Sequence, residues 1–192
     1  MEHFWHAFLP LFVALDGVGL LPLYWGLARP LSLGQRRQAV GEAVLTAFLV
    51  AVGFLLVSRF VFALMGLALA DVMIAGGAIL IALCLRELLV PESAPAIERP
   101  SPGMVPLGVP LLCGPAVLAT VLLVRDQLGW TVAIAALLAN LAIIWGILRG
   151  AGWLMGKLGA YGAEVISKIS SLILTAYGVM LIRRGIVGLL AP

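Results

Sequence analysis

The sequence predicts an all-α membrane protein: six transmembrane helices as a 3+3 inverted-topology repeat, with discontinuous first and fourth helices. Three observations lead there. The composition is too apolar for a water-facing surface. Six apolar segments of spanning length follow one another. A polar linker divides them three and three, and the first segment on each side carries a Gly/Pro interruption.

Of 192 residues, 63% are apolar and 11% charged, with 12 basic and 9 acidic side chains. Soluble domains carry about 25% charged residues. A mean hydropathy of +1.16 leaves too few polar groups to cover a soluble globule and is the opposite of disorder. The net charge of +3 is spread along the chain, so no basic stripe for nucleic acid is present. A spanning helix takes about 20 apolar residues, which allows roughly six or seven spans and no soluble domain. Cys84 and Cys113 form neither a CxxC nor a disulfide framework. The first segment lacks a basic leader and runs on too far for a cleavable signal peptide.

The segments run from about Phe4 to Leu27, Val40 to Val61, Leu69 to Leu89, Met104 to Val124, Trp130 to Leu154 and Val165 to Leu190. Only Arg59, Gly66 and Asp71 separate the second from the third, which fits a long hairpin with a tight apolar turn. The whole chain, 1–192, is one transmembrane domain: repeat 1 at 1–89, linker at 90–103, repeat 2 at 104–192. Six spans put both termini on one side, with Arg59, Arg125, Arg183 and Arg184. The other side holds Arg29, Arg36, Arg37, Arg86, Arg99, Arg149, Lys157 and Lys168. The positive-inside rule then places the linker in the cytoplasm and the termini outside. Trp5, Trp25, Trp130 and Trp153 fall near proposed span ends, as an aromatic belt requires.

Three spans per half make the halves opposite in topology, an arrangement common in secondary transporters. The first half opens with LPLFVALDGVGLLPLY (Leu9 to Tyr24), the second with VPLGVPLLCGPAVLAT (Val105 to Thr120). An offset of 95 residues puts Gly19 on Gly114 and Ile74-Ala75-Gly76 on Ile169-Ser170-Ser171. Proline removes a backbone donor, and glycine weakens a helix by about 1 kcal/mol relative to alanine. Gly17, Gly19 and Pro22 occupy one segment; Pro106, Pro110, Gly114 and Pro115 occupy its counterpart. Bare backbone survives in hydrocarbon only where it is buried in protein or lines a cavity. Paired interruptions of this kind point to a binding site; simple kinks are the plainer reading. Candidate substrate-binding residues are therefore Asp16, Gly17, Val18, Gly19, Cys113, Gly114, Pro115 and Ala116.

Asp16 stands mid-way along its apolar segment, where a carboxylate costs at least about 2.5 to 3.5 kcal/mol. Protonated, it couples a substrate to a proton; ionised, it holds an ammonium group. It also suits a cap on a second half-helix starting near Gly17. Thr46, Thr120 and Asn140 are candidate polar lining. Asn140 fits interhelical hydrogen bonding at least as well, and the threonines fit bonding to their own helices. Ser167, Ser170 and Ser171, with Ala75, Gly76 and Gly77, read first as close-packing faces. Arg29, Arg36 and Arg37 read as interfacial anchors, and Glu164 with Lys168 as a local helix pair. His3 and His6 form no HExxH motif, and no GxSxG elbow or Walker loop is present. Neither an enzyme, a metal site nor a cofactor is expected.

These residues resemble the MarC family of integral membrane proteins, which includes the small neutral amino acid transporters called SnatA. The likeness runs over nearly the whole chain. It rests on Asp16-Gly17-Val18-Gly19-Leu20-Leu21-Pro22, on Ile74-Ala75-Gly76-Gly77 and, most specifically, on Val105-Pro106-Leu107-Gly108-Val109-Pro110-Leu111-Leu112-Cys113-Gly114-Pro115. Gly17 stands where the family usually has Pro, Leu20 where it has Asn, and Ala116 where it has Gly. The resemblance implies six spans, outward termini, facing breaks in the first and fourth helices and residence in a bacterial-type inner membrane. It also implies transport of glycine- or alanine-like substrates, with protons as a coupling partner. The lipid bilayer is the other partner. A homo-oligomer is compatible with the sequence, which does not define one. A passive channel for small solutes and a non-transporting membrane scaffold are the competing readings.

Overall fold

A computed structural model of the chain describes residues 2–28, 31–89 and 112–190. The linker at 90–103, the first part of the fourth segment at 104–111 and Arg29 lie outside the described residues. Those described form seven helices and no strand: α1 (Glu2–Leu15), α2 (Leu20–Ala28), α3 (Leu33–Met65), α4 (Leu69–Leu89), α5 (Pro115–Leu128), α6 (Trp130–Arg149) and α7 (Ala151–Leu190). Four stretches are long and apolar enough to cross a bilayer: Leu33–Met65, Leu69–Arg86, Trp130–Arg149 and Glu164–Leu190. The 14-residue α1 and α5 each rise about 21 Å, short of a roughly 30 Å hydrocarbon core. The first predicted span is thus split into α1 and α2.

Boundaries follow local chemistry. The second segment starts earlier than Val40, because Ser32 and Gln35 form a capping box at the head of α3. Gly66 ends α3 in the left-handed region (φ 67°), where its amide returns to the Phe62 carbonyl. The Ala68 amide then donates to Asp71 Oδ2 at 2.8 Å, so Asp71 fastens the start of α4. The tight apolar turn expected between these spans is present. The fifth segment ends at Arg149, not Leu154, because Gly150 closes α6 and the chain re-enters a helix at Ala151. Within α7 the chain breaks again at Gly159 (φ 66°, ψ 175°), so residues 151–158 form a separate short arm before the spanning part.

Packing is inverted relative to a soluble bundle. On α3 the buried stripe is Ala39, Val40, Ala43, Ala47, Ala51, Leu55 and Ser58, mostly small, while Leu45, Leu49, Leu56, Phe60 and Leu64 face outward. Lipid tails solvate large apolar side chains, and small residues let helix backbones approach. α5 is the central element, buried at every position from Ala119 to Arg125. α4 and α7 approach backbone to backbone: a Cβ on Gly77 would lie 2.5 Å from the Gly178 carbonyl oxygen, and one on Gly178 2.9 Å from that of Gly77. Contacts between the two halves pair α1 with α5, α3 with α6 and α4 with α7. They also set α4 on α5, α7 on α1 and α2, α1 on α6, and α3 on α5.

Candidate functional site

The break between α1 and α2 is built around Asp16. Its amide closes α1 on the Phe12 carbonyl (3.2 Å), its own carbonyl accepts the Leu20 amide (3.1 Å), and its Oδ1 accepts the Gly19 amide (3.1 Å). The backbone of Asp16 stands at φ 41°. Among residues with a Cβ, Asp and Asn tolerate that region best, because the short side chain bonds locally. The capping role is therefore realised. Gly19 has no room for a side chain: a Cβ there would collide with the Asp16 carboxylate. Gly17 is buried, and its Cβ would sit 2.6 Å from Ile144 Cγ1 of α6. Each glycine of the Gly-Val-Gly run thus permits a specific close approach.

A cavity of about 140 Å³ opens beside this break. Asp16, Gly17 and Val18 line one side, with Phe12 and Val13 below them; Ser170, Ile173 and Leu174 of α7 line the other. Two oxygen-bearing side chains, Asp16 and Ser170, face an otherwise apolar space. Ser170, which the sequence assigned to close packing, is a lining residue here. The 95-residue offset had already singled out its stretch.

In the second half Gly114 is extended at ψ 174°, with Pro115 opening α5. Cys113 and Ala116 are buried. Gly76 of α4 rests on this start, its Cβ position 3.1 Å from the Pro115 carbonyl oxygen and 3.0 Å from Ala119 Cβ. Cys113, Gly114, Pro115 and Ala116 do not line the cavity beside Asp16, so the eight candidates fall in two places.

The three polar-lining candidates are placed elsewhere. Asn140 is fully buried; its Nδ2 donates to the Phe8 carbonyl (3.2 Å) and the Ala136 carbonyl (2.9 Å), tying α6 to α1, while Oδ1 finds no partner among the described residues. Thr120 Oγ1 bonds the Ala116 carbonyl (2.7 Å) and Tyr177 Oη (2.9 Å), also in full burial. Both join helices, and neither lines the cavity. Thr46 is half-buried on α3 and away from it. The expected Lys168–Glu164 pair is present at 2.9 Å, solvent-facing.

In the sequence Arg125 reads as an end-of-span charge, yet it is 8% exposed. Its Nη1 donates to the Leu55 carbonyl and Ser58 Oγ of α3, both at 3.2 Å, and its Nη2 pairs with Asp126 at 2.7 Å. Trp130 lies 5.6 Å below its guanidinium. Among the described residues, no three His, Cys, Asp or Glu side chains come together as a metal ion would need.

A chain of apolar helices, four stretches of which are long enough to cross a bilayer, with small residues turned inward, is an integral membrane protein. The chain belongs to the MarC family of integral membrane proteins, which it matches over residues 1–190. It is 26% identical over 186 residues to a UPF0056 membrane protein of Pyrococcus abyssi, covering 94% of this chain and 92% of that one. It is 25% identical over 198 residues to one of Methanocaldococcus jannaschii (96% and 86%). It is 27% identical over 183 residues to the UPF0056 inner membrane protein YhgN of Escherichia coli, covering 92% of each. No solved structure matches the chain.

Proposed function

We propose that the protein is a secondary transporter of small neutral amino acids, glycine- or alanine-like, resident in an inner membrane. The observation that carries this reading is the Asp16 carboxylate at a helix break, lining a small, otherwise apolar cavity opposite Ser170. A carboxylate has about four lone-pair sites, so capping Gly19 is compatible with holding a substrate ammonium group or a proton. A space of about 140 Å³ with Val18, Ile173 and Leu174 on its walls suits a solute with a short side chain.

The reading includes a 3+3 inverted repeat. Its support is the reciprocity of the contacts between halves. At the 95-residue offset α5 corresponds to α2, α6 to α3 and α7 to α4; α3 meets α6, α4 meets α7, and the cross-contacts come in matched pairs, α4 on α5 with α7 on α2, and α3 on α5 with α6 on α2. A two-fold relation produces that pattern, since residue i meets j and j meets i. Alternating access is then a rocking of one half against the other.

The test is a ligand screen followed by counterflow. Each of the twenty amino acids is added to detergent-solubilised protein, and a ligand preferring the folded state raises its unfolding temperature. Glycine, alanine or serine should stabilise it, and liposomes preloaded with that amino acid should accumulate the labelled form transiently. Bulk leak without counterflow identifies a channel, and an absence of both binding and flux identifies a scaffold; either result overturns the carrier reading.

A further inference from the structure

A second cleft, of about 230 Å³, lies at the end of the bundle where α2 finishes, α3 begins and α6 passes into α7. Arg36 and Arg37 from the head of α3 and Arg149 from the last turn of α6 all line it, and no carboxylate does among the described residues. Three guanidiniums lining one space make it electropositive and favour an anion there. The position of Arg36 is held in advance. Arg36 lies 4.9 Å over the Trp25 ring, and its Nε donates to the Leu31 carbonyl at 3.0 Å. Gly152, at the first turn of α7, packs against the same ring, its Cβ position 3.4 Å away. Guanidinium forks match phosphate oxygens bidentately. The rim is apolar and exposed, with Leu33 at 74% and Trp153 at 64%. A soluble anion gains nothing from that rim, whereas the acyl chains of a lipid do.

We propose that this cleft is a phosphate-ester site, and that its occupant is the headgroup of an anionic phospholipid. Basic pockets between membrane helices are suited to such headgroups. Arg37 and Arg149, exposed at the mouth, take the phosphate oxygens; Arg36, pinned on Trp25, supplies charge from the wall; Leu33 and Trp153 receive the first acyl carbons. The inference does not rest on the transport reading, and its test reads binding alone.

The full-length protein in detergent is titrated with phosphatidylglycerol, with phosphatidylcholine of the same acyl chains, and with glycerol 3-phosphate, following thermal unfolding. Phosphatidylglycerol should stabilise saturably and phosphatidylcholine should not. The double variant Arg37→Gln/Arg149→Gln should unfold at the wild-type temperature without lipid, yet bind phosphatidylglycerol at least about tenfold more weakly, or about 1.4 kcal/mol. The equal charge loss Arg183→Gln/Arg184→Gln, at the far end of α7, should leave binding unchanged. Equal stabilisation by glycerol 3-phosphate would keep the phosphate site and overturn the lipid as occupant. No saturable response to either ester, or equal weakening in both double variants, would overturn the site.

Discussion

The Gly19 amide donates to the Asp16 carboxylate at 3.1 Å, across a turn in which Asp16 itself stands at φ 41°. One residue therefore ends α1, starts α2 and places a carboxylate beside the cavity. Replacing Gly19 with alanine drives a methyl into that carboxylate and displaces the cap. Loss of an N-cap costs about 0.5–2 kcal/mol, so G19A should lower the unfolding midpoint in detergent. Asp16→Asn keeps an acceptor oxygen and tolerates the left-handed backbone, so its midpoint should stay near wild type. A drop in D16N as large as in G19A would show that the capping geometry is not what holds the break.

The α4–α7 interface offers a steric test with an internal control. Gly77→Ala places a Cβ 2.5 Å from the Gly178 carbonyl oxygen, a backbone atom that cannot step aside cheaply. Overpacking of this kind typically costs about 1–3 kcal/mol. Gly53 on α3 has nothing within 4 Å of its Cβ position, so Gly53→Ala should be neutral or gain up to about 1 kcal/mol of helix propensity. Guanidinium or heat titrations of the two variants side by side check the ordering.

Arg125 joins the two halves through Leu55 and Ser58. Hydrogen bonds to charged groups contribute about 1.5–3 kcal/mol, so Arg125→Met should destabilise by that order. Asp126, 42% exposed, is a surface partner, and Asp126→Asn should cost under about 1 kcal/mol. In a double-mutant cycle, Arg125→Met and Ser58→Ala should couple by at least about 0.5 kcal/mol. Strict additivity would remove the Ser58 contact from the account.

Tyr177→Phe removes the bond to Thr120 but leaves Thr120 its Ala116 carbonyl. The loss should be modest, about 0.5–1.5 kcal/mol, and visible as a lower midpoint without loss of helical content by circular dichroism.

Much of the fold was legible in the sequence because apolar length and Gly/Pro punctuation are local properties. Asp16-Gly17-Val18-Gly19 announced its own break, since a carboxylate and two glycines in an apolar run have few other uses. Gly66 and Gly129 turn the chain within the gaps expected between apolar runs, after Val61 and after Val124. Arg149 ends α6 five residues early because Gly150 and Ala151 are apolar enough to hide a break from a hydropathy reading. Arg125 was not legible: an arginine at the end of an apolar run looks the same whether it snorkels to water or donates to a neighbouring helix. Interhelical bonding by Asn140 was expected, but its partner, the Phe8 carbonyl, depends on α1 lying beside α6; the place of Ser170 on the cavity wall likewise depends on how α7 meets the first break.

Coupled uptake by D16N in proteoliposomes tests the central claim most directly, because that variant keeps the cap while removing the charge. Wild-type protein should accumulate labelled alanine against its gradient when a proton gradient is imposed. D16N, at equal incorporation and unchanged unfolding temperature, should show no gradient-driven accumulation. Full, pH-dependent accumulation by D16N would contradict the account and leave Asp16 as a helix cap alone.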